Sequence, residues 1–289
     1  MKQLFPRLTR PSLAALAFTL AFTLACSAAA QAGHPCETKP PTLQTITRGL
    51  ALAERTQAAL EAEFARSGAQ VAVLARAGQD LTKYGVHWSH LGWAYRTNGP
   101  GAQPTWRVVH KLNRCGSAEA AIHRQGLAEF FLDDLWRFEA AWAVPTPEVQ
   151  QRLLPMLDEN ARAVALHHKP YSVVSYAWGQ TYQQSNQWAV ETLAAAMAPE
   201  VVAGAGITEA RQRAQAWLRL KGYAPASLHI DTLTRLGGRL SAANVAFDDH
   251  PGEQRFANRI DTVTADSVLR WLERGALAGP VRQVQSHEF

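Results

Sequence analysis

Residues 88–112 read WSHLGWAYRTNGPGAQPTWRVVHKL. Two runs rich in aromatic and β-branched residues, at 88–96 and 106–112, flank a segment, 97–104, that holds two Gly, two Pro and one Asn. This composition is typical of two antiparallel strands joined by a loop. The stretch therefore predicts a β-hairpin.

The predicted hairpin carries one histidine on each strand. Because side chains alternate between the two faces of a strand, His90 lies on the face of Gly92 and opposite Leu91. His110 shares a face with Val108 on the second strand. The two imidazoles meet if the strands pair in the matching register, which one sequence leaves open. Taken alone, His90 is better explained as a half-buried sheet histidine bonded to backbone.

Helical and extended patterns alternate on either side of the hairpin. Apolar residues at helical spacing predict a helix from Leu43 to Arg66, which Gly68 ends. The other predicted elements are strands at 70–76 and 171–178, and helices over 117–138, after Thr146, from Ser185, and over 208–220, 227–240 and 265–274. This order predicts an α+β fold with a small antiparallel sheet, packed helices and a helical C-terminal part. We expect one domain, 33–289, with a core over 33–200 and a helical extension over 201–289.

The first 32 residues are typical of a secretory signal peptide. Basic residues up to Arg10 precede an apolar stretch from Leu13 to Ala25, and Ala30-Gln31-Ala32 fits the A-x-A cleavage pattern. We therefore expect cleavage after Ala32 and a periplasmic or secreted protein. Lipoprotein processing at Cys26 is the alternative. The apolar stretch is shorter than the roughly 20 residues that cross a bilayer, so no anchor is expected after signal removal.

Two cysteines, Cys36 and Cys115, follow the predicted signal peptide. An exported compartment favours their pairing, so we expect a Cys36–Cys115 disulfide. The alternative makes Cys115 a nucleophile, because His110 lies five residues before it. A disulfide would silence that thiol.

The charge distribution argues against a nucleic-acid partner, and the spacing of possible ligands argues against a metal site. The net charge of +5 comes from 29 basic and 24 acidic residues, and no basic stripe follows the N-terminal segment, so we expect no nucleic-acid partner. Asp248-Asp249-His250 and His167-His168 are weak candidates for metal ligands, since neither has the spacing of a metal motif. We interpret both as loops and expect no metal and no cofactor.

Ser185 opens the predicted helix SNQWAVE at 185–191. Unpaired N–H groups and the positive end of the helix dipole favour an oxyanion at such a position, so a nucleophile there is well placed. A serine before a helix is also a common N-cap, which needs no chemistry. The local pattern leaves both interpretations open.

The order of these elements resembles the circularly permuted papain-like hydrolases, which include the NlpC-type peptidases and the lecithin–retinol acyltransferase group. SHLG at 89–92 is similar to the Ser-His-x-Gly element of that superfamily, and SNQWA at 185–189 resembles the start of its nucleophile helix. The resemblance implies a permuted papain-like core in which Ser185 attacks, His90 is the base and His110 orients His90. The superfamily has Cys at the position of Ser185, and a hydroxyl needs a more strongly coupled base than a thiol.

Nearly all of the chain beyond the predicted signal is similar to an uncharacterised bacterial exported family, domain of unknown function 2145. The stretches that carry this similarity are RAGQD (76–80), SHLG (89–92), VHKLNRC (109–115), SNQW (185–188) and NVAFDDHP (244–251). The similarity supports the location and the fold but implies no activity.

Two functions follow as hypotheses. The first is a hydrolase or acyltransferase that acts on an amide or ester of a cell-envelope peptide or lipid. The second is a catalytically inactive envelope protein that binds or assembles with a partner through a papain-like groove. The sequence identifies neither the substrate nor a protein partner.

Overall fold

The computed structural model describes residues 40–97 and 103–286. The predicted signal peptide, its cleavage site, Cys26 and Cys36 lie outside the described residues. Signal cleavage, lipoprotein processing and the Cys36–Cys115 disulfide therefore stay predictions. Within the described residues, no helix is both long and apolar enough to cross a bilayer.

A six-stranded antiparallel sheet forms the centre of the fold. Its strands are β1 (Val71–Ala77), β2 (His90–Arg96), β3 (Trp106–Asn113), β4 (Ala120–Gly126), β5 (Arg137–Ala143) and β8 (Arg282–Gln285). They lie in the order β4-β3-β2-β1-β5-β8, and each neighbouring pair is antiparallel. A separate two-stranded pair consists of β6 (Ala226–His229) and β7 (Arg259–Thr262). The α+β class and the β2–β3 hairpin are thus confirmed.

Helices cover both faces of the sheet. In the described residues they are α1 (Leu43–Ser67), α2 (Leu127–Phe131), α3 (Pro147–Asp158), α4 (Asn160–Ala163), α5 (Ser185–Met197), α6 (Ile207–Leu220), α7 (Thr232–Ser241), α8 (Gly252–Phe256) and α9 (Ala265–Arg274). Buried residues of α1 and α2 pack on one face of the sheet. Buried residues of α3, α5, α6 and α9 form the larger core on the other. The sheet therefore separates two apolar layers.

Local sequence signals place several helix ends correctly. The helix α1 ends at Gly68, which has the left-handed φ of 70° that favours glycine. Thr146 caps α3, and its side chain accepts from Val149 N. Thr264 caps α9 in the same way. Each cap satisfies an N–H group that the helix itself leaves unpaired, which is why the sequence pattern predicts it.

The predicted helix over 117–138 is wrong. These residues form β4, the short α2 and β5 instead. Strand β4 pairs with β3 along its whole length, with His110 opposite His123, and β5 pairs with β1. The backbone hydrogen bonds offered by two sheet strands outweigh the helical spacing of the apolar residues, because that local preference amounts to less than about 1 kcal/mol per residue.

Two other predicted elements are also wrong. Residues 171–178 form turns, and the preceding residue, Pro170, makes an isolated bridge with Glu119. The predicted helix over 227–240 is divided between β6 and α7. The part after residue 201 is therefore not purely helical, since it holds β6, β7 and β8, and β8 completes one edge of the main sheet.

Candidate functional site

The hairpin brings the two predicted histidines into contact. Nε2 of His90 lies 2.8 Å from Nδ1 of His110. Gly92 makes this approach possible, since a Cβ atom at this position would lie 2.9 Å from Cβ of His110 and 2.7 Å from Cγ1 of Val108. The imidazole pair therefore requires glycine at position 92 of β2.

A third side chain sets the tautomers of the pair. Nε2 of His110 lies 2.7 Å from Oε1 of Gln125, a residue of β4. Because an amide oxygen only accepts, His110 carries its proton on Nε2 and accepts at Nδ1 from the Nε2–H group of His90. Neutral His90 then has no proton on Nδ1. No described residue forms a hydrogen bond with that nitrogen.

The surroundings keep both imidazoles neutral. The rings pack against Phe130 of α2, at centroid distances of 6.0 Å for His90 and 5.1 Å for His110. Arg76 lies opposite His90 on the neighbouring strand. Burial, followed by the positive charge of Arg76, holds the pKa of His90 well below its usual range and lowers that of His110 to about 3. The pair is therefore uncharged at neutral pH.

Ser185 has a different partner. It is the first residue of α5, and its Oγ lies 3.4 Å from the hydroxyl of Tyr171. No hydrogen bond joins Ser185 to either imidazole in the described part of the chain. The N-cap interpretation of Ser185 is wrong, because Gln184 is the cap and its side chain accepts from Asn186 N at 3.2 Å.

The sheet separates Ser185 from the histidines. Helix α5 packs on the face that bears Leu91 and Trp93, and the indole N–H of Trp93 donates to the carbonyl of Ala189 at 3.0 Å. His90 points to the other face, where it contacts Phe130. The structure thus unites His90 with His110 and leaves Ser185 on the opposite side of the strand that carries His90.

The side chains of Asn186 and Gln187, to which the sequence pattern assigned no role, hold the start of α5 in place. Oδ1 of Asn186 accepts from Leu91 N at 3.0 Å, and its Nδ2 donates to Val263 O at 3.2 Å. Oε1 of Gln187 accepts from Gln184 N at 3.3 Å. These contacts join α5 to β2 and to the segment before α9, so the polar residues of this turn position the helix.

A buried charged network on the same face was also missed. Glu191 of α5 and Arg211 of α6 form an ion pair of 2.9 Å, with the Arg211 side chain 1% and the Glu191 side chain 0% exposed. The amide of Gln183 donates to Glu191, and its oxygen accepts from Nζ of Lys111 at 2.8 Å. The available signal was Glu191 itself, a lone carboxylate in the apolar run of α5.

The two weak metal candidates lie in loops. Nδ1 of His250 lies 3.0 Å from Oδ1 of Asp249, and Oδ2 of Asp249 accepts from Tyr176 N at 2.8 Å. His167 is half-buried, and burial lowers its pKa to about 4. Within residues 40–97 and 103–286, no group of three or more His, Cys, Asp or Glu side chains is placed to hold a metal ion.

Substitution of Gly92 by Ala is expected to lower the free energy of unfolding by about 1–3 kcal/mol, the usual cost of inserting a methyl group into a packed core. The added Cβ would force β3 away from β2 at His110. Urea unfolding followed by tryptophan fluorescence measures the loss. Gly237→Ala is the control, because nothing lies within 4 Å of a Cβ at that helical position. Equal stability of the wild type and the Gly92→Ala variant would contradict the proposed tight approach.

Comparison with known proteins identifies one family. The model of domain of unknown function 2145, described as an uncharacterized protein conserved in bacteria, matches residues 63–272, more than half of the chain. The match includes His90, His110 and Ser185. No curated protein matches the chain, and no solved structure matches it.

Proposed function

The chain belongs to this family of uncharacterized bacterial proteins, and we propose that it is a cell-envelope protein that binds or assembles with a partner. The geometry also leads us to propose that it does not hydrolyse a substrate at Ser185. The description of the family assigns no activity. The observation that carries the proposal is the position of Ser185 and the two imidazoles on opposite sides of β2. A serine hydroxyl becomes a nucleophile only when a base takes its proton.

The neighbour that Ser185 does have cannot act as that base. Tyr171 is buried, and burial raises the pKa of its phenol, so the group keeps its proton at neutral pH. The helix start is also partly occupied, because the side chain of Gln184 accepts from Asn186 N, one of the donors that an oxyanion would need. Both features favour a structural Ser185.

One observation favours the hydrolase as a second candidate. The tautomers set by Gln125 leave Nδ1 of His90 able to accept a proton, which is the orientation expected of a base held by His110. This candidate requires Ser185 or another nucleophile to reach His90. The labelling experiment below separates the two functions.

A serine-directed fluorophosphonate tests the proposal. We expect Ser185 to react no faster than Ser227, an exposed serine of β6, when the labelled peptides are quantified by mass spectrometry. We also expect the Ser185→Ala variant to bind any envelope ligand of the wild type with unchanged affinity. Stoichiometric labelling of Ser185 that the His90→Gln variant abolishes would overturn the proposal and establish the hydrolase.

A further inference from the structure

Helix α7 turns its apolar side away from the protein. Leu233, Leu236 and Leu240, here called the leucine face, are 80%, 56% and 81% exposed. Their i, i+3, i+7 spacing places them on one side of the helix. The apolar stripe of a surface helix normally packs on the core, yet the one residue of α7 that is buried is Gly238.

Polar contacts hold α7 in this orientation. The carboxylate of Asp231 caps the helix by accepting from Thr234 N at 2.9 Å. The guanidinium of Arg235 donates to the carbonyl of Ile230 and, at 2.9 Å, to Oδ1 of Asn258. Because these bonds fasten the opposite side of the helix to the protein, the leucine face stays outward.

The charged residues within α7 are basic, and the carboxylate of Asp231 at its start is used as the cap. Between Thr232 and Ser241 the helix has two basic residues, Arg235 and Arg239, and no acidic residue. Exposed leucines on a helix whose charged residues are basic form the pattern of helices that lie in the interface of an anionic membrane.

The size of the leucine face argues against a second protein copy as the occupant. A helix of ten residues is about 15 Å long and about 10 Å wide, so its outer side offers on the order of 150 Å². A stable protein interface takes about 800 Å² from each partner. Membrane association needs only a few apolar side chains together with basic groups at the headgroups.

We propose that α7 binds the surface of an anionic lipid bilayer, with Leu233, Leu236 and Leu240 among the acyl chains and Arg239 at the headgroup phosphates. This proposal rests on the proposed binding role and names the partner as an anionic lipid surface. It involves none of the residues around Ser185 or the two imidazoles. Failure of the vesicle experiment therefore leaves the phosphonate result at Ser185 unaffected.

Vesicle binding of the full chain tests the proposal. We expect sedimentation with vesicles of 30% phosphatidylglycerol in phosphatidylcholine, and at least tenfold weaker binding of the triple variant Leu233→Gln, Leu236→Gln, Leu240→Gln. Arg239→Gln is expected to weaken binding about fivefold, since each basic residue near an anionic surface contributes about 1 kcal/mol. The matched control is Leu220→Gln, which changes an 81% exposed leucine of α6 and should leave binding unchanged.

Hydrogen–deuterium exchange adds a local measurement. The peptide that covers residues 232–241 should exchange more slowly with the anionic vesicles than with vesicles of phosphatidylcholine alone. This comparison is independent of any contribution of residues 1–32 to vesicle binding. Each of three results would overturn the proposal. The first is equal exchange of α7 with both kinds of vesicle, and the second is equal vesicle binding by the triple variant and the wild type. The third is a wild type that is dimeric in solution while the triple variant is monomeric.

Discussion

Replacement of Arg211 by Met is expected to lower the free energy of unfolding by about 3–5 kcal/mol, the cost of removing one member of a buried ion pair. The guanidinium of Arg211 is enclosed, and it donates to Glu191 and to the carbonyls of Gly179, Gln180 and Tyr182. Its loss leaves the carboxylate of Glu191 in the core without its ion-pair partner. Urea unfolding at constant pH measures the change.

Arg213→Met is the matched control. Arg213 lies two residues after Arg211 in α6. It pairs with Glu209 at the surface, where the side chains of Arg213 and Glu209 are 40% and 55% exposed. Exposed pairs of this kind contribute only about 0–1 kcal/mol. Equal losses in the Arg211→Met and Arg213→Met variants would contradict a structural role for the buried pair.

Lys111→Met is expected to remove a large pH dependence of stability. Nζ of Lys111 donates to the carbonyl of His168 at 2.6 Å and to Gln183 at 2.8 Å, and the nearby carboxylate of Glu191 is already paired with Arg211. Burial, and next the charge of Arg211, lower the pKa of Lys111 from 10.5 to about 6. The folded protein therefore holds a neutral amine at neutral pH.

The direction of the pH effect follows from proton binding. Between pH 10.5 and about 6 the unfolded chain binds a proton at Lys111 that the folded protein does not bind. The wild type therefore loses stability as the pH falls through this range, by at most about 1.4 kcal/mol per pH unit from this group. From pH 9 to pH 7, wild-type stability should fall relative to that of Lys111→Met by up to about 3 kcal/mol.

Urea unfolding at pH 7, 8 and 9 checks this expectation. Lys169→Met is the control, because Lys169 is a surface residue that pairs with Glu119 at 3.0 Å with its side chain 59% exposed. Its variant should keep the pH dependence of the wild type. Parallel curves for the wild type and Lys111→Met would show that Lys111 is charged in the folded protein.

Much of the sheet and its helices could be predicted because the relevant signals are local. A helix cap such as Thr146 or Thr264 satisfies groups within its own turn, and Gly68 adopts a conformation that glycine favours at a helix end. The alternation of side chains along β2 and β3 likewise placed His90 on the face of Gly92 and His110 on the face of Val108. Neither inference requires distant parts of the chain. The strand register that brings the two imidazoles together was decided by the structure.

Other elements depend on partners that local sequence does not reveal. Residues 120–126 become a strand because the edge of β3 is available. Residues 171–178 have strand-like composition, but they touch β7 only through single hydrogen bonds, such as that from Ala177 N to Asp261 O, and form turns. Gln125, which sets the tautomers of the imidazole pair, was hidden within a wrongly predicted helix. Strand pairing is non-local, so composition alone cannot decide it.

The sequence by itself determined the class of the fold, the hairpin with its two histidines and the ends of α1, α3 and α9, since short-range hydrogen bonds and side-chain periodicity control these features. Only the tertiary structure decided which face of the sheet α5 covers, and hence that Ser185 lies away from His90. It also decided that Lys111 is buried and that α7 exposes its leucines. These outcomes depend on how whole elements pack, because the same amphipathic pattern can face the core or the solvent.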